Sequence, residues 1–204
     1  MNNAKTVRVW DIAIRLFHWS LVITFAVAYL TGENDEQDFI HSYAGYVIAG
    51  LLLFRIIWGF VGTRFAQFSS FVFGPKTTLQ YLGGLFRGKA QHYLGHNPAG
   101  AAMVFLLLFS LTATIYTGLE AYAGEGKGPL ASSSMSVIAT ARADDDGENE
   151  NRNGEDDLWE EIHEFFANLT LVLVGFHIAG VIVSSRLEHQ NLVKAMITGR
   201  KNEQ

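Results

Sequence analysis

Residues 162–185 read IHEFFANLTLVLVGFHIAGVIVSS, and this stretch decides the fold. Its apolar length is about the 20 residues that a helix needs to cross a bilayer core of about 30 Å. It nevertheless carries two histidines, His163 and His177. At 1.5 Å per residue they lie about 21 Å apart along a helix axis, and at about 100° per residue they fall about 40° short of four full turns. The two side chains therefore share one face, one near each membrane surface. Ionisable groups inside a membrane are costly and mark function. The stretch thus predicts a spanning helix that offers two ligands to its neighbours.

Three more blocks, 12–30, 39–60 and 99–119, have the same length and apolar character. Together they predict an all-α integral membrane four-helix bundle, with residues 1–204 as a single domain. Arg15 and His18 inside the first block argue against a cleaved signal peptide, despite Ala26-Val27-Ala28. Four crossings put both termini on one side of the membrane. Twelve of the fifteen basic residues lie toward the termini, at the end of the second block (Arg55) or in the segment 61–98, and only Lys127, Arg142 and Arg152 fall on the other side. The positive-inside rule then predicts cytoplasmic termini. Of the twenty acidic residues, all but Asp11, Glu188 and Glu203 fall on the outer side.

The connections read differently from one another. The external loop 31–38 is short, and 79–86 predicts a brief amphipathic helix at the inner surface. Pro98 suits a first helical turn, where its missing N–H costs nothing. The external loop 120–161 contains a run, 144–157, polar and acidic enough to predict mobility. A short helix is expected in the cytoplasmic tail. Trp10, Trp19, Trp58 and Trp159 fall near the expected interfaces, as in an aromatic belt.

With no cysteine in the chain, disulfides, thiolate-bound clusters and covalent haem attachment are excluded. The histidines are the strongest remaining metal ligands. His18 lies about one and a half turns inside the cytoplasmic end of the first helix, and His177 about two turns inside that of the fourth. His41 and His163 both begin their helices on the outer side. The depths predict two non-covalent haems: His18 with His177 on the inner iron, His41 with His163 on the outer. Bis-histidine ligation saturates the iron and favours electron transfer over oxygen chemistry. A zinc or di-iron site would need clustered ligands with carboxylates or thiolates among them.

Arg55 follows His41 by 14 residues and so faces the same way, about 21 Å deeper. A haem propionate is its expected partner; the alternative is snorkelling to the interface. Arg15, one turn before His18, is a second candidate. Gly45 and Gly180 remove side chains beside His41 and His177, for a flat macrocycle or for ordinary small-residue helix packing. His92 and His96, four residues apart, are open between a structural role, quinone hydrogen bonding and metal binding.

These residues resemble the bacterial di-haem cytochrome b561 family, related to the cytochrome b subunits of nickel–iron hydrogenases and formate dehydrogenases. The matching segments are Val9-Trp10-Asp11 with Arg15-Leu16-Phe17-His18-Trp19; Ile40-His41-Ser42 with Gly45; Arg55-Ile56-Ile57-Trp58-Gly59; His92-Tyr93-Leu94-Gly95-His96-Asn97-Pro98; Glu161-Ile162-His163-Glu164 with His177; and NLVKAMITG over 191–199. The acidic run 144–157 looks longer and more charged than the family pattern.

The resemblance implies two haem b groups on the four histidines named above. It also implies a quinone or quinol as one redox partner, a second redox protein as the other, and a place in the bacterial inner membrane. The leading expectation is quinone-linked electron transfer with a periplasmic c-type cytochrome. The alternative is the membrane-anchoring cytochrome of a hydrogenase-like complex, mildly disfavoured by the short loop between His18 and His41. A haem-free histidine-lined transporter would need carboxylates in its helices, and these are nearly absent. The bilayer is the remaining partner. No nucleic acid is expected, and a homo-oligomer stays open.

Overall fold

The computed structural model describes residues 6–32, 34–88, 91, 93–131 and 148–202, with side chains left out at 35, 86, 148–157 and 202. His92 and residues 144–147 of the acidic run lie outside the described residues. In chain order the elements are β1 (Thr6–Arg8), α1 (Ile12–Thr31), α2 (Asp38–Val61), α3 (Pro75–Phe86), α4 (Pro98–Gly124), α5 (Glu148–Leu187), α6 (Leu192–Thr198) and β2 (Arg200–Asn202). Among the described residues four helical segments are long and apolar enough to cross a bilayer: Ile12–Thr31, Asp38–Val61, Pro98–Gly124 and Leu158–Leu187. The chain is a mostly helical membrane protein, as the apolar blocks predict.

Two helices run further than the sequence blocks. α4 continues to Gly124 rather than 119, and α5 starts at Glu148, inside the acidic run read as loop. The blocks mark where apolar character ends, not where backbone hydrogen bonding ends. The added segment of α5 has no proline to interrupt it. The expected surface helix is α3, which begins four residues earlier than 79, with Pro75 in its first turn.

The large apolar side chains of the spanning helices point outward: Leu16 is 65% exposed and Phe176 64%. In water such a surface would be untenable, whereas lipid is as apolar as these side chains.

The chain divides into two compact units, 1–108 with 173–204, and 109–172. In the first, α1 packs along α2. The buried face of α2 runs Ala44, Ile48, Leu52, Arg55 and Gly59, a stripe of three- and four-residue steps. Asp11 caps α1 by accepting from the Ile14 N–H (2.8 Å). Its other oxygen accepts from Trp58 Nε1 (3.2 Å) and Thr63 Oγ1 (2.5 Å), tying the start of α1 to the end of α2. Asn97 caps α4 by accepting from the Gly100 N–H (2.7 Å), with Pro98 next in line.

A terminal clasp closes this unit. β1 pairs antiparallel with β2, Val7 opposite Lys201. The Gly199 carbonyl accepts from the N–H groups of Val9 (2.9 Å) and Trp10 (3.1 Å). Gly199 has φ of 79°, and a Cβ there would lie 2.5 Å from the Trp10 carbonyl oxygen. Both conditions require glycine.

The second unit is held by polar contacts between α4 and α5. Ser110 and Thr170, both fully buried, share a 2.7 Å hydrogen bond. Thr114 and Thr170 also back-bond to carbonyls one turn earlier. Short hydroxyl side chains of this kind let two helices approach closely in lipid.

Candidate functional site

The inner pair of histidines meets in the first unit. His18 on α1 and His177 on α5 have ring centres 6.4 Å apart, with planes at 53°. Their neighbours are separated by 159 positions of sequence, so this approach is tertiary. The His18 Nδ1 is buried and has no hydrogen-bond partner. Bonds from imidazole to a metal run about 2.0–2.1 Å, and two such bonds end to end fit within the ring separation.

His41 and His163 are each oriented locally. His41 Nδ1 lies 2.9 Å from the Ala28 carbonyl oxygen at the outer end of α1. His163 Nδ1 lies 2.9 Å from the Thr114 carbonyl oxygen on α4. A carbonyl only accepts, so Nδ1 carries the proton in both rings and Nε2 keeps its lone pair. That is the arrangement found in metal-binding histidines, whose second nitrogen is fixed by a carbonyl or carboxylate. Each ring also rests on a glycine. A Cβ at Gly32 would come within 3.3 Å of the His41 ring, and one at Gly118 within 2.8 Å of the His163 ring. Neither glycine stands out in the sequence, because what each accommodates lies on another helix.

Gly45 and Gly180 behave differently. A Cβ at either would meet no heavy atom within 4 Å, so side-chain packing does not require these glycines.

Arg55 lies on the buried stripe of α2 and is 4% exposed, which argues against snorkelling. Its guanidinium carbon sits 4.6 Å from the centre of the Phe68 ring, a cation–π contact. Its Nη1 is buried without a hydrogen-bond partner. Arg15 has a structural task instead. It donates to the Ile197 carbonyl near the end of α6, securing the terminal clasp. This contact commits part of the side chain that the sequence offered to a propionate.

His96 packs against Trp10 (ring centres 4.7 Å apart, edge-on) and Phe71 (4.3 Å). Burial, then the charges of Arg55, Lys201 and His177, push its pKa down to about 3, so the ring is neutral at physiological pH. Trp10 and Trp58 are engaged in the protein's own contacts, with His96 and Asp11 respectively, in addition to lying near an interface.

The sequence pattern of the family described as prokaryotic cytochrome b561 matches residues 9–199, nearly the whole chain. The chain belongs to the prokaryotic cytochrome b561 family. Three relatives are described as probable Ni/Fe-hydrogenase B-type cytochrome subunits, the Escherichia coli one as that of hydrogenase 1. That of Rhodobacter capsulatus is 24% identical over 98% of this chain and 83% of its own length. That of Escherichia coli K12 is 28% identical over 60% of this chain and 63% of its own. That of Azotobacter chroococcum is 29% identical over 64% and 66%. No solved structure matches the chain. As a cytochrome b561 the chain is a haem-binding, multi-pass protein of the bacterial inner membrane that takes part in electron transport.

The side chains present suit haem b. With no cysteine the group is held non-covalently, and the paired His18 and His177 rings, with an unpartnered Nδ1 on His18, form a donor set for iron.

Proposed function

We propose that this cytochrome b561 is the membrane subunit of a nickel–iron hydrogenase-like complex, passing electrons across the bilayer between a catalytic partner and quinone. The observation that carries the reading is the meeting of His18 and His177, together with relatives that are all described as hydrogenase cytochrome subunits. The relatives favour this reading over a free-standing carrier serving a periplasmic c-type cytochrome. Two haems are assigned: one to His18 and His177, the other to His41 and His163, whose depths agree by helix arithmetic.

When bound, haem supplies a one-electron couple whose potential depends on its axial ligands and surroundings. The protein's part would be to hold the group through the imidazoles of these histidines, which would leave no open position for oxygen chemistry. Carbonyls of Ala28 and Thr114 set the tautomers of His41 and His163. Arg55 places a buried cation to offset a propionate.

The purified full-length protein should hold two low-spin haems per chain. His18→Ala and His177→Ala should each remove the same spectral component and leave the other, which His41→Ala and His163→Ala should remove. One haem per fully loaded chain, or loss of different components from His18→Ala and His177→Ala, would overturn the assignment.

The excess of seventeen acidic over three basic residues on the predicted outer side favours a second reading, docking of a basic c-type cytochrome. Steering of this kind is screened over about 10 Å at 0.1 M salt. That reading expects electron transfer to a basic cytochrome to slow steeply as salt rises, and to slow at low salt when the run 144–157 is neutralised. Equal rates for the intact and neutralised loops leave the hydrogenase-type partner alone.

A further inference from the structure

Three nitrogen side chains, Arg55, His96 and Lys201, share an aromatic surround of Trp10, Phe68 and Phe71. Phe71 is a common wall, 4.3 Å from the His96 ring centre and 6.0 Å from the Arg55 guanidinium carbon. Phe68 covers Arg55 from another side. Trp10 meets His96 edge-on, and its ring centre lies 5.9 Å from Lys201 Nζ. Two polar atoms in this enclosure, Arg55 Nη1 and His96 Nδ1, are buried and have no hydrogen-bond partner. Buried polar atoms without partners are costly in a native protein and call for an explanation.

Nearby carboxylates do not answer the need. Asp11, whose charge Arg55 feels, is already accepting from Ile14, Trp58 and Thr63. Glu188 acts on Lys201, which is 6% exposed. Lys201 Nζ donates to the carbonyls of Gly95 (3.2 Å) and Tyr93 (3.5 Å), on the backbone just before His96. β2 therefore holds the turn that presents the imidazole. His177 is among the charges acting on His96, so the two rings lie within electrostatic range of each other. A buried cation with an unpartnered N–H, next to a neutral imidazole whose unpartnered Nδ1 donates in its Nδ1–H tautomer, suits an anionic oxygen ligand.

We infer that Arg55 Nη1 and His96 Nδ1–H together seat one carboxylate, a propionate of the haem held by His18 and His177, with Lys201 as the positioning residue for the His96 turn. The inference rests on the proposed ligation by those two histidines. It gives His96 a role distinct from quinone hydrogen bonding and from metal binding.

The test uses full-length apoprotein reconstituted with haem b or with its dimethyl ester, which lacks the propionate charges. Potentiometric titration follows the inner component, identified as the one that His177→Ala removes. With haem b, Arg55→Leu should shift the ferric–ferrous equilibrium about tenfold toward ferric, 59 mV for a one-electron couple. His96→Phe and Lys201→Met should shift it the same way by a few-fold, and the outer component should stay in place. With the ester, the His96→Phe shift should vanish and the Arg55→Leu shift should shrink. His96→Gln, which keeps a donor, should retain most of the wild-type potential and guards against a misfolded Phe variant.

An unchanged inner potential in both His96 variants, or an undiminished His96→Phe shift with the ester, overturns the carboxylate seat. The second outcome would point to a quinone oxygen or another acceptor. If His177→Ala removes no component, the ligation reading itself fails, which the spectrum reveals before any potential is measured.

Discussion

At the scale of single residues, the histidines do not act alone. His163 has its tautomer set by the Thr114 carbonyl, and its ring lies so close to Gly118 that no side chain fits between them. Gly118→Val should push the ring off its carbonyl partner. Overpacking of this kind costs typically about 1–3 kcal/mol. The expected outcome is loss or broadening of the spectral component that His163→Ala removes, with the His177 component intact; optical and EPR spectra of the purified variant check it.

At the scale of elements, Asp11 joins the start of α1 to the end of α2. Burial raises its pKa, but the hydrogen bonds from Thr63, Ile14, Trp58 and Ala13 together outweigh this, and the net shift is downward from 3.8. A carboxyl with a depressed folded pKa stabilises the fold above its unfolded pKa, and that contribution is lost as pH falls through the folded value. Asp11→Asn should therefore destabilise the protein by a roughly constant amount at pH 5–8. The gap to wild type should narrow below about pH 4. Thermal unfolding in detergent across that range measures it. Asp11→Ala also removes the cap, worth about 1 kcal/mol, and should be worse than Asp11→Asn at neutral pH.

At the scale of the whole molecule, the charge distribution sets orientation. The chain has no cysteine, so single introduced cysteines report sidedness cleanly. Gln91 and Lys127 are both exposed. Under cytoplasmic termini, Gln91→Cys should react with an impermeant maleimide only in inverted vesicles, and Lys127→Cys only in right-side-out cells. The reverse pattern would exchange the inner and outer assignments of the two histidine pairs.

The number and apolar chemistry of the spanning helices were readable from the chain because apolar length against bilayer thickness is a local property. The burial of Arg55 was also readable, since it lies on the α2 stripe of Ala44, Ile48, Leu52 and Gly59 set by helical periodicity. Boundaries were less legible at α4 and α5, since backbone hydrogen bonding continues where hydropathy stops. What only the tertiary structure decided were relations between distant positions. The approach of His18 to His177, the glycines under His41 and His163, and the binding of Arg15 to Ile197 each join residues on different elements. The clasp of β1 on β2, which brings Lys201 to the turn holding His96, depends on the two ends of the chain meeting. No window of sequence contains both halves of such a contact, and the physical reason for each residue lies in the partner it meets across space.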